Sequence, residues 1–184
     1  MSKMIEKSGV GRVVLAAVLA LSVAGCSIFS PDKPVPPCPP ILVLKDAAML
    51  TRFVPGPGRD ITDVSFTGRL SDFRAECKFK KDLSQVEIKM NIVFVLTRGA
   101  GNKDRKVAFD YFVALPRFHP QPQGKKTFSK AGEFQGNRTR LGLLEDVTLV
   151  IPLARGTKRE DYKIFLGFQL SREEVQLNRT RNQF

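Results

Sequence analysis

A chain of 184 residues with 42% hydrophobic side chains is long enough for one domain with its own core, and too apolar for a disordered polyelectrolyte. Its 30 lysines and arginines against 18 carboxylates give a formal charge of +12, so partners are expected among anionic groups. One histidine, three cysteines, and the absence of Gly-x-Ser-x-Gly and His-Glu-x-x-His motifs argue against a hydrolase elbow or a metal centre; no cofactor and no metal are expected.

Lys3, Lys7 and Arg12 make a positive start, and Val13 to Val23 form an apolar run shorter than the roughly 20 residues a spanning helix needs. Residues 1–25 therefore read as a signal peptide, with an uncleaved membrane anchor as the plainer alternative. The run closes on Val23-Ala24-Gly25-Cys26, which resembles the lipobox of bacterial lipoprotein precursors. That resemblance implies cleavage before Cys26, a diacylglyceryl group on its thiol, and an acyl chain such as palmitate on its amine. Each buried methylene contributes about 0.8 kcal/mol, so two or three chains hold the protein permanently. Ser27 stands where enterobacterial lipoproteins retained in the inner membrane carry Asp, which implies the periplasmic face of the outer membrane. Removing Lys3, Lys7, Arg12 and Glu6 with the signal leaves +10 on the rest. At an envelope surface that charge fits phosphate-bearing headgroups, acidic glycans or an acidic protein, and no nucleic acid.

Residues 26–40 form the lipidated Cys26 and a proline-rich tether. Pro31, Pro34, Pro36, Pro37, Pro39 and Pro40 stiffen it, and the eleven residues between Cys26 and Cys38 span roughly 35 Å as polyproline II. With Cys26 lipidated, Cys38 and Cys77 remain, and in an oxidising compartment such a pair defaults to a disulfide. Two buried thiols, or a catalytic cysteine with His119 as base, stay open on the residues alone.

Residues 41–176 read as one β-domain. A short strand is expected at Ile41–Leu44, and a helical turn over Asp46–Arg52 with Asp46 as its cap. Alternation of period two then marks strands at Val64–Leu70, Phe73–Phe79, Val86–Leu96, Val107–Leu115, Lys126–Gln135, Val147–Leu153 and Tyr162–Leu170. Glycines and prolines in 98–104, 116–124 and 154–158 supply the turns. About seven strands without crossover helices predict an all-β, antiparallel sandwich of immunoglobulin-like or fibronectin-like type. Residues 177–184 are expected as a basic polar tail.

Three features carry functional expectations. Gln135-Gly136-Asn137-Arg138-Thr139-Arg140 and Gln176-Leu177-Asn178-Arg179-Thr180-Arg181 share five of six residues. If both are extended, Arg138, Arg140, Arg179 and Arg181 suit bidentate contacts with an anionic lipid or glycan; a chance likeness of loop and tail is the plainer reading. Arg52-Phe53-Val54-Pro55-Gly56-Pro57-Gly58-Arg59-Asp60 is a rigid connector and not a phosphate-cradling loop. With the preceding stretch from Ile41 to Thr51, it resembles a segment of alphaproteobacterial envelope lipoproteins, a family with no established activity; the resemblance implies the same address and carries over no functional residues. Third, Asp72, Glu76, Glu87, Asp110 and Glu133 fall mostly at outward strand positions, as solubilising partners for lysines more than as a catalytic pair. The sequence thus points to a non-enzymatic accessory lipoprotein that binds an envelope protein through a sheet edge or basic loop. Direct binding of an anionic lipid or glycan is the alternative, and a hydrolase with a hidden carboxylate site the second alternative.

Overall fold

Period-two alternation becomes strand wherever one parity can reach a common core, and the described residues hold eight strands. The chain divides into two units, Met1–Val35 and Pro36–Phe184, and the computed structural model describes residues 36–181. The expected signal peptide, the expected lipidation at Cys26, the tether to residue 35 and residues 182–184 of the expected tail lie outside the described residues. The strands are β1 (Ile41–Val43), β2 (Met49–Phe53), β3 (Val64–Phe79), β4 (Gln85–Arg98), β5 (Lys106–Ala114), β6 (Lys125–Glu133), β7 (Arg140–Pro152) and β8 (Ile164–Phe168), followed by helix α1 (Arg172–Arg181). They make two four-stranded sheets, ordered β1-β8-β5-β6 and β2-β3-β4-β7, antiparallel except for β1 beside β8. The all-β sandwich is as expected. In its strand order β2, β3 and β4 follow one another in one sheet, whereas constant-type immunoglobulin domains, with sheets ABED and CFG, keep no three consecutive strands together.

The core is the seam between the sheets, and aromatic rings fill it. Phe94 of β4 is fully buried, with ring centroids 5.1 Å from Phe109, 5.0 Å from Tyr111 and 5.3 Å from Phe168, all three from the facing sheet. Val86, Ile88, Met90, Ile92 and Leu96 continue the inward face of β4 with at most 1% exposure. Gly68 opposes this layer: a Cβ there would lie 2.9 Å from Leu96 Cδ2 and 3.1 Å from Phe168 Cζ, so the close approach of side chains requires glycine. Every residue of this core comes from 41–170, so Pro36–Phe184 carries its own core.

Several boundaries differ from the sequence reading. The two strands expected at Val64–Leu70 and Phe73–Phe79 are one, because a register shift between Leu70 and Asp72 accommodates an extra residue opposite β4. The bulge flips parity, so Phe66, Gly68 and Leu70 face inward before it and Phe73, Ala75, Cys77 and Phe79 after it. Residues 46–52 are not a helical turn. Only Lys45–Ala47 forms a 3-10 turn, its N-cap position is Leu44 without a side-chain cap, and Asp46 instead accepts from Arg179 Nε at 2.9 Å. Met49–Phe53 is a strand because Leu50 is buried in the core while Met49 is exposed, and pairing with β3 outweighs local turn preference. Strand β7 starts at Arg140 and not at Val147; Glu145 at an inward position had interrupted the apolar alternation. Tyr162 belongs to a 3-10 turn at Arg159–Tyr162, and the last strand is confined to Ile164–Phe168.

The carboxyl end is helix where a strand end and tail were expected. Ser171 Oγ accepts the Glu174 amide at 3.2 Å and Glu174 Oε2 accepts the Ser171 amide at 2.8 Å, a capping box legible as Ser-x-x-Glu. Asn178 is 5% exposed and donates from Nδ2 to the carbonyls of Asp46 at 2.9 Å and Met49 at 2.7 Å, which seats α1 on β2. At the opposite end, Cys38 and Cys77 form a disulfide with Cα atoms 5.7 Å apart. It joins the segment leading into β1 of one sheet to β3 of the other.

Candidate functional site at a free sheet edge

Each sheet has two edges, and three of the four are blunted. β1 has three residues, β2 lies under α1, and β6 carries Lys125, Lys126 and Lys130. β7 is the exception, thirteen residues long with β4 as its single strand neighbour.

Hydrogen-bond parity decides which of its backbone groups are free. β4 and β7 pair without a register shift from Gln85↔Pro152 to Thr97↔Arg140. The Arg98 amide donates to the Thr139 carbonyl at 2.8 Å and the Leu153 amide to the Ser84 carbonyl at 2.8 Å, which places residues 139 and 153 at hydrogen-bonded positions. In an antiparallel ladder those positions alternate, so the odd-numbered residues of β7 bond β4. The N–H and C=O groups of Gly142, Leu144, Asp146, Thr148 and Val150 therefore point away from the sheet. The same parity carries the outer side chains, among which Leu144 is 59% and Val150 56% exposed.

The inner parity fixes the strand in place. Leu141, Leu143 and Leu149 pack against the core, and the Glu145 carboxylate lies between an ion pair with Lys130 of β6 and a hydrogen bond from the Tyr111 hydroxyl at 3.1 Å. Burial first, and then the neighbouring Glu145 charge, push the Tyr111 phenol well above its ordinary value, so it stays a donor at physiological pH. A carboxylate facing inward at a sandwich margin thus ties β5, β6 and β7 together and holds the free edge rigid. The sequence reading missed this triad, although an acidic residue at an inward parity was its signal.

The arginines of the two repeated segments are placed differently. Arg138 sits in an exposed turn and Arg140 opens β7. Arg179 and Arg181 lie on α1, where residues two apart point about 200° apart, so the second segment is not the extended pair expected. Arg179 is ion-paired with Asp46, and Arg181 Nη1 donates to Thr51 Oγ1 at 2.9 Å. Thr51, Thr67, Thr97 and Arg140 are successive partners across one sheet, which sets Arg140 three strand spacings, about 14 Å, from the strand that Arg181 touches. Asn178 of the second segment is buried and bonded.

Helix α1 creates one cleft the sequence reading did not foresee, about 660 Å³ between β2, the Pro55–Gly58 loop and the helix. Arg52 pairs with Glu174 at 3.3 Å and Arg59 with Glu173 at 2.6 Å, while the Arg59 guanidinium lies over the Phe53 ring. The Arg59 hydrogen bond holds the Glu173 carboxyl below its ordinary value, the wrong direction for a general acid at neutral pH. Four of the five outward carboxylates are likewise engaged: Asp72 accepts the Phe73 amide at 2.8 Å, Asp110 accepts from Ser129 Oγ at 2.6 Å, and Glu87 and Glu133 pair with Lys89 and Arg105. Among the described residues no group of three or more His, Cys, Asp and Glu is placed to hold a metal, and no helix is long and apolar enough to cross a membrane. No protein-family model, curated protein or solved structure matches the chain.

Proposed function

We propose that this protein is a non-enzymatic accessory lipoprotein, anchored through Cys26 at the periplasmic face of the outer membrane, that recruits an extended segment of another envelope protein along β7. The observation that supports this reading is the parity of β7: a long, rigid strand turns alternate backbone donors and acceptors outward between exposed Leu144 and Val150. An incoming strand would gain main-chain hydrogen bonds at Gly142, Leu144, Asp146, Thr148 and Val150, with the two apolar side chains setting register.

Proline tests this directly because it removes an N–H without adding bulk on either face. Thr148→Pro deletes an outward amide and no sheet bond, so the domain should fold with a near-native melting temperature. A photo-crosslinking residue at Leu144 should capture a protein partner in intact cells, and Thr148→Pro should abolish that adduct. Recovery of monomer only, or an adduct indifferent to Thr148→Pro, would contradict the proposal.

A further inference from the structure

The positive charge of this domain is concentrated at one end, where no functional role has so far been assigned. The chain arrives at that end: Pro36, Pro37 and Pro39 line a shallow cleft with Leu83, Arg155 and Tyr162. The β3–β4 turn brings Lys80 and Lys81, beside Lys78 and Asp82. The β5–β6 connection brings Arg117, Lys125 and Lys126, and the segment before β8 brings Arg155, Lys158, Arg159 and Lys163 with Glu160 and Asp161. All ten cations are exposed. With Glu87 opposite Lys78, ten cations against four carboxylates is +6, while residues 36–181 as a whole carry +10, so every other surface together holds only +4. Among the described residues one salt bridge forms within this group, between Arg159 and Glu160.

These loops are braced. The Tyr162 hydroxyl accepts the Ala154 amide at 2.7 Å, and the Arg117 guanidinium lies 4.6 Å from the Tyr162 ring centre. Beside Lys80 and Lys81, Leu83 stands at φ 55° with 44% of its surface exposed. That is a left-handed backbone which glycine or asparagine holds with less strain than leucine. An apolar side chain left 44% exposed at a strained turn beside Lys80 and Lys81 is presented to whatever surface this end meets.

We propose that this end docks on an anionic phospholipid surface, with phosphate headgroups against the cations of the three loops and Leu83 inserted among them. A bilayer fits better than a protein groove because the cations are spread over separate loops around one tip and share a single apolar finger. The ten residues from Cys26 to Pro36 span at most about 35 Å, which allows an anchored chain to reach the same surface. Docking rests on charge and Leu83, independently of lipidation and of the β7 reading. It stands the sandwich on end, with α1 about 45 Å out along β4 and the β7 edge facing sideways.

The test uses residues 27–184, without lipid, in flotation with vesicles containing phosphatidylglycerol or phosphatidylcholine alone. Binding is expected on phosphatidylglycerol only, and it should fall steeply with salt. Lys80→Glu, Lys81→Glu, Arg155→Glu and Lys158→Glu combined should weaken it at least about tenfold at an unchanged melting temperature. Arg138→Glu with Arg140→Glu, at the far end, should leave it within about twofold. Leu83→Asn should raise the melting temperature and lower flotation, a divergence that a purely structural role for Leu83 does not produce. Equal binding to phosphatidylcholine, indifference to the fourfold reversal, or an equal loss from the far-end pair would overturn the proposal. So would retention on a soluble acidic polysaccharide without flotation, and unchanged flotation of Leu83→Asn would remove the apolar finger.

Discussion

Phe94→Ala should cost the domain about 3–5 kcal/mol, the largest effect of any single side chain here. The ring is fully buried and touches Phe109, Tyr111 and Phe168, so truncation empties the seam where the two sheets meet. Two contributions add: the lost transfer of an aromatic side chain from water, and a cavity that four strands of fixed register cannot close by sliding. Leu144→Ala, an apolar truncation on the outer face of β7, should change stability by no more than about 0.5 kcal/mol. Urea unfolding of the two variants makes the comparison. A loss below about 1 kcal/mol for Phe94→Ala would mean that the seam is not packed as described.

Loss of the Cys38–Cys77 bond should cost nearly as much, about 4 kcal/mol in the chain-entropy model for a separation of 39 residues. The bond crosses from the segment before β1 to β3, and β1 is only three residues long with β8 as its strand neighbour. Without the cross-link, that short parallel strand alone keeps the arriving chain on its sheet. Cys38→Ser with Cys77→Ser, which leaves no unpaired thiol of the pair, should therefore unfold at lower urea, and reductant should reproduce the shift in the parent protein. A midpoint indifferent to both would show that the bond does not constrain the unfolded chain.

Most of the fold was legible because period two is a local signal. The alternation of Val86, Ile88, Met90, Ile92, Phe94 and Leu96 needs one buried face and nothing else. What escaped depended on partners distant in the chain. At Ser71 the parity changes by one, and from the sequence a bulge looks like the end of a strand; only the uninterrupted opposite strand β4 distinguishes them. Met49–Phe53 becomes strand because β3 lies beside it. Arg172–Arg181 was readable from its Ser-x-x-Glu box, but the likeness of Gln176–Arg181 to Gln135–Arg140 favoured an extended reading of both. That likeness is sequence only: one segment is a turn into a strand, the other a helix tied down by Asn178.

The candidate sites divide in the same way. Cys38 and Cys77 were expected to pair, and the structure contains their bond. A free edge is invisible in sequence, since β7 and β4 both alternate and only sheet order tells which lies outside. The basic end was hidden for a related reason: its cations are scattered over three segments 29 and 36 residues apart, and topology gathers them. The arginine segments drew attention by repetition, yet Arg179 and Arg181 are occupied in seating the helix.

β7 turns alternate amides outward and free, and amide hydrogen exchange of the isolated domain measures this residue by residue. Leu143, Glu145, Val147, Leu149 and Ile151 donate into the sheet and should exchange slowly, near the rate set by global unfolding. Gly142, Leu144, Asp146, Thr148 and Val150 should exchange orders of magnitude faster, in strict alternation with them. Slow exchange at both parities would show that the edge is already paired, and the account of β7 as an open docking strand would fail.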